Sequence, residues 1–146
     1  MRLSRNAHYA MRTVIDLALR GRGISAEIAR RQGVPQAYMA KIVHGLSRAG
    51  ILRTYRGTRG GVELAKAAGA VTLRDVVEAT EGPIALNLCV VWGDCQCVQP
   101  CPVRAALAQL QTVMEREMES VTIEQLAHRL PAGWPNVGGE ALPQSV

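Results

Sequence analysis

The sequence predicts a mostly α-helical fold carrying one small β-hairpin, and three observations predict it. Apolar residues recur at helical spacing near both ends, at Ala7, Ala10, Met11, Val14, Leu17 and Ala18, and again at Val103, Leu107, Leu110, Met114, Met118 and Val121. Two short helical patterns meet at Gly33. A hairpin pattern follows them directly, with its turn at Gly57-Thr-Arg-Gly-Gly61. Two short helices around a Gly turn, then a thin hairpin, make a winged helix-turn-helix. The second apolar stripe adds a long helix whose seam suits a partner helix, and hence dimerisation.

Taken in order, the first helix runs from Ser4 to Arg20 and stops at Gly21 and Gly23. Ser25 is placed to cap a second helix through Gln32 that turns Ile28 and Ala29 inward. After Gly33, Pro35 suits the first position of a third helix with Met39, Ile42, Val43 and Leu46 on one face and Gly50 at its end. The other faces of that helix present Gln36, Tyr38, Lys41, His44 and Arg48. Residues 51–56 and 62–65 read as the two strands of the wing, with Arg53, Arg56 and Arg59 on or beside its tip. There a basic hairpin can lie on phosphates or enter a narrow minor groove. Residues 66–70 form a connector, Thr72 caps a helix to Thr80, and Gly82-Pro83 breaks it. Thr122-Ile-Glu-Gln125 is a capping box for a last short helix to Arg129. The tail from Pro131, with three Pro and three Gly, is expected to be flexible. The organisation is therefore residues 1–80 for the winged helix-turn-helix, 81–102 for a cysteine loop, 103–130 for the dimerisation and short helices, and 131–146 for the tail.

Composition narrows the partners. Hydrophobic residues make up 48% of the chain, so a core is affordable even without Phe. No apolar run reaches the roughly 20 residues of a membrane span, and the N-terminus carries no secretory pattern, so a cytoplasmic, membrane-free protein is expected. The net charge of +5 is unevenly spread: residues 1–80 hold fourteen Lys and Arg against five Asp and Glu, whereas residues 81–146 hold three against seven. A basic half of this kind suits a polyanion, here double-stranded DNA.

All four cysteines lie in Cys89-Val-Val-Trp-Gly-Asp-Cys95-Gln-Cys97-Val-Gln-Pro-Cys101. Their spacing follows neither helix nor strand, and Asp94, Gln96 and Gln99 interleave them, which argues against simple core packing. A disulfide framework is disfavoured in a cytosolic chain, where such clusters bind metal or act in redox chemistry. Thiolates this close can hold an iron-sulfur cluster or zinc. Trp92, within the segment, is expected to pack there. No nucleotide loop, Ser/His/Asp set or paired-carboxylate motif points to an enzyme or an electron carrier.

Several motifs then carry a resemblance: Met1-Arg-Leu-Ser, Tyr9-Ala-Met-Arg, Tyr38-Met-Ala-Lys-Ile, Gly45-Leu-Ser-Arg-Ala-Gly-Ile-Leu, Arg56-Gly-Thr-Arg-Gly-Gly, Leu64-Ala, and Val71-Thr-Leu-Arg-Asp-Val-Val-Glu-Ala-Thr-Glu-Gly. Over residues 1 to about 130 the chain resembles the IscR/NsrR-like winged-helix regulators of the Rrf-two superfamily. It departs from their usual wing at Arg59, where Gly is common, and at Val62, where an aromatic residue is common. The resemblance implies a homodimer on a palindromic operator and a cluster that changes DNA affinity, hence a repressor sensing redox state, nitric oxide or iron. It further implies Cys89, Cys95 and Cys101 as cluster ligands, in a Cys-x5-Cys-x5-Cys spacing. The fourth ligand would be His8 contributed by the other subunit, or the extra Cys97. Some relatives use a His three residues after the last Cys; here Arg104 stands in that place. His ligation favours 2Fe-2S over 4Fe-4S. The competing reading is a cluster-free winged-helix regulator with a thiol/disulfide switch or structural zinc.

Overall fold

The structure is a computed structural model that describes residues 3–58, 60–93, 100–131 and 134. Seven α-helices, a short 3-10 turn at Ala68–Ala70 and one two-stranded antiparallel sheet make up the regular structure of the described residues. Helix α1 (Arg5–Arg20) is capped by the Ser4 hydroxyl, which accepts from the amides of Asn6 and Ala7. Helices α2 (Ser25–Gln32) and α3 (Gln36–Arg48) are joined through Gly33, whose left-handed φ of 60° lets its amide and the next one close the end of α2. Ser25 is the first helical residue rather than the cap, a position taken by Ile24 without a side-chain bond. Pro35 likewise precedes α3 instead of opening it. Both shifts are a single residue, and backbone bonds alone complete the caps.

Ala10, Val14 and Leu17 of α1 meet Ile28 and Ala29 of α2 and Met39, Ile42 and Leu46 of α3 in one buried core. Strands β1 (Leu52–Tyr55) and β2 (Gly61–Leu64) pair in the register Leu52↔Leu64 to Tyr55↔Gly61, and only Leu52 and Val62 of the hairpin are buried. Val62 also exchanges both backbone bonds with Gly23, at 2.9 and 2.8 Å, so the linker after α1 fastens the base of the wing. Gly45 lies within α3, where a Cβ would stand 3.0 Å from the Ala79 carbonyl oxygen. Its bare backbone lets α4 (Leu73–Glu81) approach closely.

Thr72 opens α4 with a reciprocal box: its hydroxyl accepts from the Asp75 amide, and Asp75 accepts from the Thr72 amide. Thr122 and Gln125 repeat that arrangement at the start of α7 (Ile123–His128). The two caps lie side by side, with Leu73 donating to the Val121 carbonyl and Ile123 to that of Val71. Ile123 is fully buried in the core built by α1 to α4, so the last helix folds back onto α1. Between them run the one-turn helix α5 (Leu88–Val91) and the long α6 (Pro102–Ser120). Val121, expected on the α6 stripe, is instead the residue that ends the helix.

One buried polar group ties α1 to α2. The Asp16 carboxylate has no exposed surface, and it accepts from Arg31 Nε and Nη2 at 3.2 and 2.5 Å and from Gln32 Nε2 at 2.9 Å. Arg20, one turn on, adds a contact at 3.4 Å. The hydrogen bond to Asp16 raises the Arg31 pKa despite partial desolvation. Losing the carboxylate strands a guanidinium and an amide against a packed interface. Asp16→Ala is therefore expected to destabilise the fold by about 3 kcal/mol, read as a lowered urea midpoint. An unchanged midpoint would show that Asp16 is dispensable.

Candidate nucleic-acid interface and cysteine segment

Burial of Met39, Ile42 and Leu46 fixes the rotation of α3, so Gln36, Tyr38, Lys41, His44 and Arg48 are all exposed, as the helical spacing predicted. Lys41, His44 and Arg48 follow one another by three and four residues and line one outward stripe. Tyr38 is held from behind: its ring meets Tyr9 of α1 edge-on, with centroids 5.6 Å apart. Tyr38 nonetheless remains 41% exposed. A helix anchored in this way, with polar and cationic side chains outward, can enter a major groove.

The wing stands next to it. Arg53 and Arg56 are exposed on the hairpin, and the Tyr55 hydroxyl raises the Arg53 pKa by accepting from it. Arg59, expected on or beside the tip, lies outside the described residues. The turn is shaped by glycine. A Cβ on Gly60 would meet the carbonyl oxygens of Gly57 and Tyr55 at 2.8 and 2.9 Å, and Gly57 has φ 92°. Sequence spacing did not reveal the brace beneath: the Arg22 guanidinium lies 4.1 Å from the centre of the Tyr55 ring. The Tyr55 hydroxyl in turn donates to Glu63 across the hairpin.

The cysteines divide. Cys89 lies in α5 and Cys101 is the residue that caps α6, two elements that pack on each other; both thiols are free and half-buried. Cys95 and Cys97 lie outside the described residues. Thus Cys89 stands on a helical turn, where the spacing suggested irregular chain throughout. The approach to the segment is fixed by Gln111, the one buried residue of α6, which accepts from the Leu86 amide at 3.2 Å and donates to Glu115 at 2.8 Å. Trp92, expected to pack, is instead 59% exposed at the C-terminal end of the one-turn α5. His8 is exposed on α1, in a stripe with Met11, Arg12 and Ile15 that faces α7.

Helix α6 leans on the rest of the fold through one side only. Arg74 of α4 reaches Glu78 at 3.4 Å, Glu115 at 3.3 Å and Glu119 at 3.4 Å, joining α4 to α6. Partial desolvation opposes the charge on Arg74, but the three carboxylates outweigh it and raise the pKa. Leu107, Met114 and Met118 are half-buried, whereas Val103, Leu110 and Val113 are exposed. Among the described residues no helix is long and apolar enough to cross a membrane.

Two DNA-binding outcomes are expected. Lys41→Ala should weaken operator binding and lower the slope of affinity against salt by about 1 if it contacts phosphate. Gly60→Ala should distort the wing tip and weaken DNA binding while leaving the melting temperature of the helical core almost unchanged. Titrations at several salt concentrations check the first, and paired melting and binding curves the second.

Comparison with known proteins agrees with this architecture. Residues 3–129 match the Rrf2 family, described as an iron-dependent transcriptional regulator. Protein aau3 of Rhizobium meliloti is 37% identical over 135 residues, spanning 90% of this chain and 88% of its own. The HTH-type transcriptional regulator IscR of Klebsiella pneumoniae is 28% identical over 131 residues, spanning 88% and 80%. In fold the chain is similar to CymR, the global cysteine regulator of B. subtilis, with a TM-score of 0.73 at 23% identity over 90% of this chain and 99% of that one. With its winged helix-turn-helix and a family match over nearly its whole length, the chain belongs to the Rrf2 family of DNA-binding transcriptional regulators.

Proposed function

We propose that this regulator is a cytoplasmic homodimeric repressor that binds a palindromic operator and carries an iron-sulfur cluster through which it senses redox state, nitric oxide or iron. The observation that carries the reading is the pair of free, half-buried thiols, Cys89 within α5 and Cys101 capping α6, two helices in contact that bracket the other two cysteines of the chain. The family description as iron-dependent supports it.

The donor set fits the group in kind. Thiolates of Cys89, Cys95 and Cys101 supply soft ligands. His8 of the partner or Cys97 supplies the fourth, and an imidazole there favours 2Fe-2S over 4Fe-4S. When bound, the cluster contributes a charge that changes with oxidation and a bond network that is lost on oxidant attack. The protein's own part is mechanical. Gln111 holds the entry to the cysteine segment against α6, and Arg74 holds α6 against α4, which touches α3 across Gly45. A rearrangement of the segment is thereby conveyed toward the recognition helix, and the spacing of two such helices is what a palindrome reads. The exposed Val103, Leu110 and Val113 are apolar surface suited to the twofold partner.

Anaerobically purified protein is expected to contain two irons and two sulfides per subunit and to absorb in the visible. Cys101→Ala should lose both iron and colour yet remain folded, because α6 is anchored by Gln111 and Arg74 rather than by metal. In His8→Ala the visible spectrum should shift. Operator affinity should differ between the holo and cluster-free forms; equal affinities would remove the sensing role. Colourless protein with stoichiometric zinc would replace the cluster with a structural metal.

A further inference from the structure

The short linker between α1 and α2 runs along the wing. Gly23 exchanges both backbone bonds with Val62, which holds the linker against β2 as an antiparallel bridge. Arg22 is thereby placed beside Gly61, at the turn end of the hairpin. A Cβ on Gly61 would stand 3.1 Å from Arg22 Nε and 3.4 Å from Arg22 Cγ, so the bare backbone there leaves the track on which the arginine side chain lies. Its guanidinium ends over Tyr55, the residue opposite Gly61 in the register, 4.1 Å from the ring centre.

Arg53, Tyr55 and Glu63 share the face of the hairpin opposite to the buried Leu52 and Val62. The far end of the Tyr55 ring is fixed on that face, where its hydroxyl donates to Glu63 and accepts from Arg53. A ring anchored in this way is a platform that orders an exposed arginine. Arg22 and Tyr55 are both exposed, and Arg56 follows Tyr55 directly into the turn. Stacking uses the face of a guanidinium, whereas phosphate is bound through its in-plane N–H fork, so one arginine can serve both roles. Ordering the side chain before DNA arrives removes part of the entropy cost of binding.

We propose that Arg22 is a DNA-backbone contact of the wing, supplied by the linker before α2, with Tyr55 as the positioning residue that presents its guanidinium to a phosphate. The inference rests on the wing lying against DNA. A contact of this kind adds affinity without reading sequence, and it is felt on any duplex.

The test is fluorescence anisotropy of the full-length protein, purified anaerobically, on a labelled random-sequence duplex of about 30 base pairs, between about 50 and 200 mM salt. Arg22→Gln is expected to weaken binding severalfold and to lower the slope of log affinity against log salt by about 1. Tyr55→Phe, which keeps the ring, should leave the slope unchanged, whereas Tyr55→Leu should lower it. Adding Tyr55→Leu to Arg22→Gln should cause no further loss, and melting curves by circular dichroism should superimpose for all four variants. An unchanged slope in Arg22→Gln beside a lowered one in Lys41→Ala would overturn the proposal while leaving DNA binding through α3 intact. Unchanged slopes in both would overturn the DNA-facing reading of the wing and helix together. A Tyr55→Leu slope equal to that of the unmodified protein, or additive losses in the double variant, would remove the positioning role of Tyr55.

Discussion

The fold depends on a carboxylate taken wholly out of water. Asp16 sits on the flank of α1 where α2 must dock, and burying it unpaired would cost several kcal/mol. The cost is offset because α2 brings Arg31 and Gln32 to it together, satisfying both oxygens with charged and neutral donors. The pairing is specific in a way that apolar packing is not. Ile28 could slide along α1 with small loss, but the fork of Arg31 meets Asp16 in one register. Since α3 follows α2 after only three residues, that register also sets where the recognition helix lies.

From there the structure reads as a chain of props. Tyr9 on α1 backs Tyr38 on α3, and Gly23, just after α1, pairs with Val62 in the wing. Helix and wing are thus both braced against α1 or the linker that follows it. On the opposite side, Gly45 admits α4, and Arg74 extends that contact to α6 through Glu115 and Glu119. This second interface is polar and partly solvated, so it is softer than the apolar core beneath α3. The result is a rigid reading head and a more compliant link to the cysteine segment.

Helix α1 serves three neighbours at once. One flank holds Asp16 for α2, the apolar face packs on α3 and α4, and the remaining stripe of His8, Met11, Arg12 and Ile15 turns to α7 and Trp134.

Most of this architecture is written locally. The recognition helix, the hairpin and the outward set of Gln36, Tyr38, Lys41, His44 and Arg48 follow from periods of 3.6 and 2 and from glycine placement, and the close spacing of the four cysteines is likewise a property of adjacent residues. Such signals survive in sequence because each involves residues within one or two turns of each other. The one-turn helix at Cys89 and the exposure of Trp92 were not legible, since a stretch of four residues is too short for a period to show. What only the tertiary structure decided is which distant residues meet: Asp16 with Arg31, Arg74 with Glu115 and Glu119, Ile123 in the N-terminal core, and Arg12 with Trp134. Those pairings are chosen by the burial and desolvation of whole faces, which no spacing along the chain records.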